Sequence, residues 1–203
     1  MLQSSVLAVA LCAGAMGEGF EFADFSSTKA LLLVLDAHRS KKVLRLTGAE
    51  EFEAGAAWFR NKQPVLEGFE TTFTFRLTKQ DPVAGGADGV AFVVQNERKD
   101  AIGGFGASGG FLRSDVGTNG QPPPGGFRPP ILRRVAVFFD TFQNRWDDSD
   151  NHVAICTNGT GGSAMASSMS FVFEAPGNEY ERRAAAYGAD YIRAAAADGL
   201  SGR

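Results

Sequence analysis

The chain has 203 residues, a length that suits one sizeable domain with a core that buries most of its apolar surface. Its 20 basic and 23 acidic residues give a net charge of −3 and form no long runs, which argues against a nucleic-acid partner. Glycine, at 25 residues, and phenylalanine, at 17, far outnumber the 3 tyrosines, a balance typical of many short strands and turns. Composition therefore favours an all-β domain.

Residues 1–15 form an apolar run that is too short to span a bilayer and that ends in small residues. We interpret this run as a secretory signal peptide cleaved after Ala15; a buried N-terminal strand is the alternative, because no basic residue precedes the run. Cleavage there removes Cys12 and leaves Cys156 without a disulfide partner. No second long apolar run follows, so the sequence predicts a secreted or luminal domain over residues 16–176 without a membrane span.

Short apolar stretches separated by Gly, Asn, Asp and Pro follow, as expected of an antiparallel sandwich. Apolar and polar residues alternate over residues 70–77, which predicts a strand with one buried and one solvated face. Residues 89–94 and 134–139 are more uniformly apolar and predict central strands covered on both faces. Weaker strand candidates are residues 31–35, 43–47, 152–157 and 169–173, with residues 20–25 as a candidate edge strand.

Two segments, residues 103–110 and 118–126, are rich in glycine or proline and predict loops at one end of the sheets. Residues 179–197 are alanine-rich with tyrosines at helical spacings, which predicts a helical tail over residues 177–203. Asn158 begins an Asn-Gly-Thr sequon, which is meaningful only in a eukaryotic secretory pathway; chance occurrence is the alternative.

The densest polar cluster follows the predicted strand 134–139 directly. Its candidate metal ligands are the side chains of Asp140, Asn144, Asp147 and Asp148 and the carbonyl of Phe142. Calcium takes about six to eight oxygen ligands of these kinds. An acidic surface turn, in which Asn and Asp bond to their own backbone, explains the spacing equally well. The cluster alone leaves both interpretations open.

Three further residues invite a site interpretation. His152 lies close behind the acidic cluster at a strand start, where a transition-metal ligand is one interpretation and a structural histidine the other. His38, flanked by basic residues in an expected turn, indicates a structural role. Asp88 precedes a predicted strand within a glycine-rich stretch and by itself indicates an ordinary turn.

A series of segments, in order along the chain, matches one known pattern. The segments are residues 43–47, 57–59, 68–75, 87–96, the glycine loop at residues 103–110, residues 135–144, Trp146, Asp147 and His152. In these the chain resembles the L-type lectins, whose best-known members are the legume seed lectins. The resemblance covers about Phe20 to Phe173 and implies a jelly-roll sandwich of two antiparallel sheets with a sugar site at its rim. The family continues with further strands, which the alanine-rich tail does not resemble.

The resemblance assigns roles to the site residues. Asp88 looks like the family aspartate that accepts hydrogen bonds from sugar hydroxyls, after a cis peptide bond. Gly104, or its neighbour Gly103, matches the glycine whose backbone N–H meets the sugar. Asn144 matches the asparagine that binds calcium and donates its amide to the sugar. Phe142 matches the ring beneath the sugar, since a pyranose has an apolar C–H face.

One position departs from the family pattern. Legume members carry a glutamate two residues before the equivalent of Asp140, where it bridges to a transition metal, and Phe138 stands there in this chain. Asp140, Asp147 and His152 remain, but beside an apolar ring they form a weak cage. We therefore expect calcium as the bound metal and doubt a second, transition-metal site.

Glycan binding without catalysis is the function that these observations favour, with glycans or glycoproteins as partners and a homo-oligomer left open. A glycoside hydrolase needs two carboxylates roughly 5–10 Å apart, whereas the predicted strand 134–139 is followed by Asp140 alone. The chain is therefore predicted not to be an enzyme. A lectin-like fold that has lost sugar binding and serves in protein association or storage is the second alternative.

Overall fold

The protein is described by a computed structural model that covers most of the predicted domain. The described residues are 4–5, 19–65, 69–77, 87–114, 122–123, 125–144, 147, 149, 151–158 and 167–171. Their strands are β1 (Ser4–Ser5), β2 (Leu31–Leu35), β3 (His38–Ser40), β4 (Val43–Arg45), β5 (Gly55–Phe59), β6 (Arg76–Leu77), β7 (Gly89–Gln95), β8 (Arg134–Asp140), β9 (His152–Asn158) and β10 (Ser167–Phe171). A single 3-10 turn, Gly106–Ser108, is the helical element of these ranges. Nothing within them is a helix of the length and apolarity that crossing a membrane requires.

All of the strand pairings are antiparallel, which confirms the predicted all-β sandwich class. The largest sheet has the order β10-β9-β8-β7, and three two-stranded sheets pair β1 with β6, β2 with β5 and β3 with β4. Strands β7 and β8 are the two uniformly apolar segments of the sequence. Their side chains can be buried on both faces of the sheet, because another layer covers each face.

One face of β8 carries Arg134, Ala136, Phe138 and Asp140, which are all buried. Because side chains alternate along a strand, these residues share a face and β9 presents His152, Ala154 and Cys156 beside them. The main core cluster lies on this face. Its buried members are Ala101, Phe111, Ile131, Ala136, Phe138, Ala154 and Cys156. The segment that contains the glycine loop therefore covers the sheet from this side.

The opposite face of the sheet is covered by phenylalanine rings from residues 69–75. Phe73 stacks on Phe92 of β7 with ring centroids 5.4 Å apart, and Phe75 meets Phe139 of β8 at 4.9 Å. A strand was predicted over residues 70–77, but β6 comprises Arg76–Leu77 alone. The alternation of that segment reflects ring burial against the sheet rather than backbone pairing along its whole length.

Other predictions are confirmed with small shifts of the strand ends, including those for β2, β4, β9 and β10. The candidate edge strand at residues 20–25 was wrong, since this segment forms no strand and instead packs Phe22 and Phe25 in a second core cluster. Strands β3 and β5 were not predicted. The first is polar and exposed, and the second is rich in glycine and alanine, which have low strand propensity.

Several sequence predictions lie wholly or largely outside the described residues. The predicted helical tail and Asp148 lie entirely outside the described residues, and so does most of the loop at residues 118–126. The secretory leader stays a prediction; Ser4–Ser5 within it pairs with β6. The glycine loop at residues 103–110 is confirmed as a loop that contains the 3-10 turn.

Candidate functional site

The candidate site lies at the edge of the sheet that the strand ends form, where β7 begins, β8 ends and β9 begins. Gly89 of β7 is in register with Asp140 of β8, which is in register with His152 of β9. Antiparallel pairing thus brings Asp88, Asp140 and His152 to one edge although they are far apart in sequence. The loop after β8 adds Asn144 and Asp147 to the same place.

Asp140 is the most enclosed carboxylate of this edge, at 5% exposure. Its Oδ1 accepts a hydrogen bond from the Phe142 N–H at 2.9 Å, and its Oδ2 lies 3.9 Å from Nε2 of His152. Burial raises the pKa of Asp140, while the Phe142 N–H and His152 act in the opposite direction. A buried carboxylate of this kind is stabilised by any cation that reaches it.

His152 is held in one orientation by the carbonyl of Ser149, which lies 3.1 Å from its Nδ1. A neutral imidazole carries one proton, and a carbonyl can only accept, so this contact assigns the proton to Nδ1. In the neutral form of the ring, which is the form that binds a metal, Nε2 is therefore the nitrogen left as a possible ligand, 3.9 Å from Oδ2 of Asp140.

Asp147 closes the loop through two reciprocal bonds with Asn144. Its Oδ2 accepts from the Asn144 N–H at 2.8 Å, and its own N–H donates to the Asn144 carbonyl at 3.0 Å. Ligand-type atoms of Asp140, Asp147 and His152 all lie within 4.8 Å of one another. Two oxygens on one calcium ion at about 2.4 Å each can be up to about 4.8 Å apart, so this spacing fits a single cation.

Phe138 occupies the position at which legume members carry the bridging glutamate. Its side chain is 5% exposed and meets Phe111 in an edge-to-face contact with centroids 5.6 Å apart. It shares the face of Asp140 but belongs to the apolar core. The residue therefore provides no oxygen ligand, and Asp140, Asp147 and His152 are left as the ligand-type cluster of the described residues.

Asp88 follows a cis peptide bond from Ala87, as the family resemblance implies. Its carbonyl accepts from the Thr141 N–H at 2.8 Å and from the Thr141 hydroxyl at 3.3 Å, which ties the start of β7 to the end of β8. The pKa of the Asp88 carboxyl is raised from 3.8 to about 6, chiefly by burial; the Asn144 side chain opposes the rise, and the negative charges of Asp140 and Asp147 add to it. The Asn144 side chain thus lies near enough to Asp88 to influence its carboxyl group.

The two glycines predicted to meet a sugar have backbone N–H groups that are bonded within the loop. The N–H of Gly103 donates to the Gly110 carbonyl at 2.7 Å, and the N–H of Gly104 donates to the Leu112 carbonyl at 2.9 Å. Both residues are buried. A sugar would have to displace one of these bonds. A side chain at Gly104 would come within 2.5 Å of the Ser114 Cα, so this glycine is required for packing.

Gly106 is the residue of this loop that lies beside Asp88. It is exposed, has a φ of +59°, and a Cβ placed on it would be 3.2 Å from Oδ2 of Asp88. A side chain here would both strain the backbone and crowd the carboxylate. Gly106 is not among the predicted site residues, although its glycine identity within the loop was a signal. Phe142 is 37% exposed, and its N–H donates to Asp140.

Comparison with known proteins agrees with the all-β fold. The family model described as the legume lectin domain matches residues 18–182. A curated lectin of Onobrychis viciifolia is 34% identical over 97 residues, which cover 44% of this chain and 32% of the relative. The match thus spans about a third of that relative's length. Because this family model matches most of the chain, the chain belongs to the legume lectin domain family.

Proposed function

We propose that the protein binds carbohydrate in a calcium-dependent manner at the edge formed by Asp88, Asn144 and Phe142. The observation that supports this most directly is the convergence of Asp88 with the loop that carries Asn144, since the Asp88 carbonyl accepts hydrogen bonds from Thr141 at the start of that loop, beside the part-exposed Phe142 ring. The carboxylate accepts from sugar hydroxyls, the amide donates to them, and the ring packs on the apolar face of a pyranose. The exposed Gly106, next to Asp88, leaves room for the ligand.

Calcium has a defined task in this proposal, which is to hold Asn144. An amide has one oxygen that accepts and one NH₂ group that donates, so Asn144 can offer its oxygen to a cation while its NH₂ faces Asp88 and the sugar. The proposed ligands of the ion are Asp140, the Phe142 carbonyl, Asn144, Asp147 and Asp148, with His152 beside them. A bound cation also favours the ionised form of Asp88 that accepts hydrogen bonds.

A glycan array read with calcium and again with a chelator tests this function. Binding is expected with calcium and is expected to disappear with the chelator, in Asp88→Ala and in Asn144→Ala. Asn61→Ala, which changes an exposed asparagine remote from the sheet edge, serves as the matched control and is expected to bind normally. Binding that survives both chelation and the two site substitutions would contradict the proposal.

Two other functions compete with this one. A hydrolase is disfavoured because the residues that precede Asp140 on its face of β8, Phe138 and Ala136, are apolar and provide no second carboxylate there. A lectin fold that serves only in protein association is disfavoured because Asp88, Asn144 and the part-exposed Phe142 are retained together at this edge. We further propose that the protein acts in the secretory lumen or outside the cell, where glycans and glycoproteins are its partners.

A further inference from the structure

The exposed Gly106 connects the proposed sugar site to a neighbouring aromatic and cationic surface. Gly106 lies beside Asp88, and the Cα of the preceding Phe105 is about 3.8 Å from the Gly106 Cα. The guanidinium of Arg128 lies over the Phe105 ring, with Cζ 4.2 Å from the ring centroid. Phe52 meets the same ring edge-on at 6.3 Å between centroids and is 54% exposed. We call Phe52, Phe105 and Arg128 the Phe105 shelf.

Arg128 is held in place by its backbone. Its N–H donates to the Ser114 hydroxyl at 2.9 Å, and its carbonyl accepts from the Ser114 N–H at 3.0 Å. Ser114 is itself 5% exposed and packs against Gly104 of the glycine loop. The backbone of Arg128 is therefore fixed, and the contact with the Phe105 ring favours one position of its guanidinium, which lowers the entropy lost on binding.

The charge of Arg128 is not matched by a carboxylate in the part of the chain that the structure describes, since none of the ion pairs found there involves it. Its Nη1 is enclosed without a hydrogen-bond partner. Glu53, which follows Phe52, turns back to the Glu50 N–H at 3.4 Å. Because an arginine stays protonated in a protein, the shelf carries a positive charge beside an exposed aromatic ring.

Resting on the proposed carbohydrate site, we propose that the Phe105 shelf is a second subsite for an acidic sugar residue linked to the sugar that Asp88 holds. The exposed Phe52 ring offers an apolar contact to a pyranose C–H face. Apart from the enclosed Nη1, the N–H groups of the Arg128 guanidinium can donate to a carboxylate or a sulfate, which arginine recognises better than it recognises a hydroxyl. Charge complementarity therefore selects anionic oligosaccharides over neutral ones.

The test compares matched oligosaccharides on the full chain loaded with calcium, by calorimetry or on an array. Each pair has the same terminal sugar, and the second residue is neutral in one member and carries a carboxylate or a sulfate in the other. We expect the acidic member to bind about tenfold more tightly at low salt and the ratio to fall as salt is raised. The carboxylated and sulfated arms show which anion the shelf accepts.

Arg128→Gln is expected to bring the acidic-to-neutral ratio close to one. Arg128→Lys keeps the charge and retains part of the ratio, which separates a loss of charge from a loss of fold. Arg98→Gln, which removes an exposed arginine just beyond the far end of β7, is the matched control and keeps the full ratio. Equal affinity for both members, or a ratio that survives Arg128→Gln, overturns the subsite alone. Failure of every saccharide to bind overturns the proposed function as well.

Discussion

Two buried charges lie at opposite ends of the same face of β8, and their surroundings differ. Asp140, 5% exposed, accepts a hydrogen bond from Phe142 and lies next to the His152 ring. Arg134, 1% exposed, donates from Nη1 to the Ile131 carbonyl, but its Nε and Nη2 have no hydrogen-bond partner. Of the two ends, only the Asp140 end brings together further groups, Asp147 and His152, that can bind a cation.

The difference teaches that a buried charge marks a site only when complementary groups converge on it. Burial costs free energy at both ends and lowers the pKa of Arg134 as it raises that of Asp140. At the Arg134 end the Phe111 ring, 5.2 Å from Cζ to its centroid, gives a cation–π contact. Cys156 supplies no counter-charge, because burial raises the pKa of its thiol to about 11.

Asp140→Asn is expected to give the largest effect, because it removes a carboxylate from the proposed calcium site while keeping its shape. Calcium affinity is expected to fall by at least about 100-fold, and sugar binding with it. Calorimetric titration with calcium measures the change. Asp100→Asn, which removes an exposed carboxylate paired with Arg98, is the control and is expected to leave the affinity unaltered. Wild-type affinity in Asp140→Asn would contradict the ligand assignment.

Arg134→Met tests the other end of the strand and is expected to stabilise the protein. The substitution removes two unsatisfied buried donors, each group of this kind costing about 1–3 kcal/mol, and fills similar volume with apolar atoms. Urea denaturation is expected to show a higher free energy of unfolding. Arg133→Met removes an exposed ion pair with Glu97 and is expected to change stability by less than about 1 kcal/mol. Destabilisation in Arg134→Met would mean that Nε or Nη2 has an acceptor, or that the bond from Nη1 to the Ile131 carbonyl outweighs their burial.

Trp58→Phe tests the core between the two charges. The indole N–H donates to the Ala101 carbonyl at 2.8 Å, and the ring packs against the cluster that includes Phe138. Losing this one bond is expected to lower the free energy of unfolding by about 1–2 kcal/mol. The urea midpoint is expected to fall with an unchanged slope, whereas a changed slope would indicate a looser fold rather than a lost bond.

Asp24→Asn is expected to give the smallest effect, since Asp24 is an exposed charge. Hydrogen bonds from Ser26, with Lys42 at 3.2 Å, lower its pKa from 3.8 to about 2. A lowered folded-state pKa means that the carboxylate stabilises the fold above about pH 4 and that this contribution is lost as the pH falls towards 2. Melting temperatures between pH 4 and 2 are expected to decline less steeply in Asp24→Asn. An identical decline would show that the contacts do not persist in solution.

The sequence allowed good prediction where a strand is uniformly apolar, as in β7 and β8, because burial on both faces leaves little other interpretation. The residue pattern alone did not indicate that Asp88 and His152 lie at one edge with Asp140, because their proximity depends on strand register. The expectation that they are neighbours came from the family resemblance. The state of the Gly103 and Gly104 N–H groups could not be predicted. Their partners are carbonyls of the same loop, chosen by the loop conformation and not by side-chain identity.

The strand register described above also determines where this chain can tolerate insertions and deletions. Asp140 faces His152 because the two are aligned in an antiparallel ladder, and one added residue within β8 would turn the carboxylate to the opposite face of the sheet. The glycine loop carries no such constraint from a ladder. Length variation in the loop would therefore alter which sugars the proposed site accepts, while Asp140 and His152, the proposed metal ligands on the strands, stay in place.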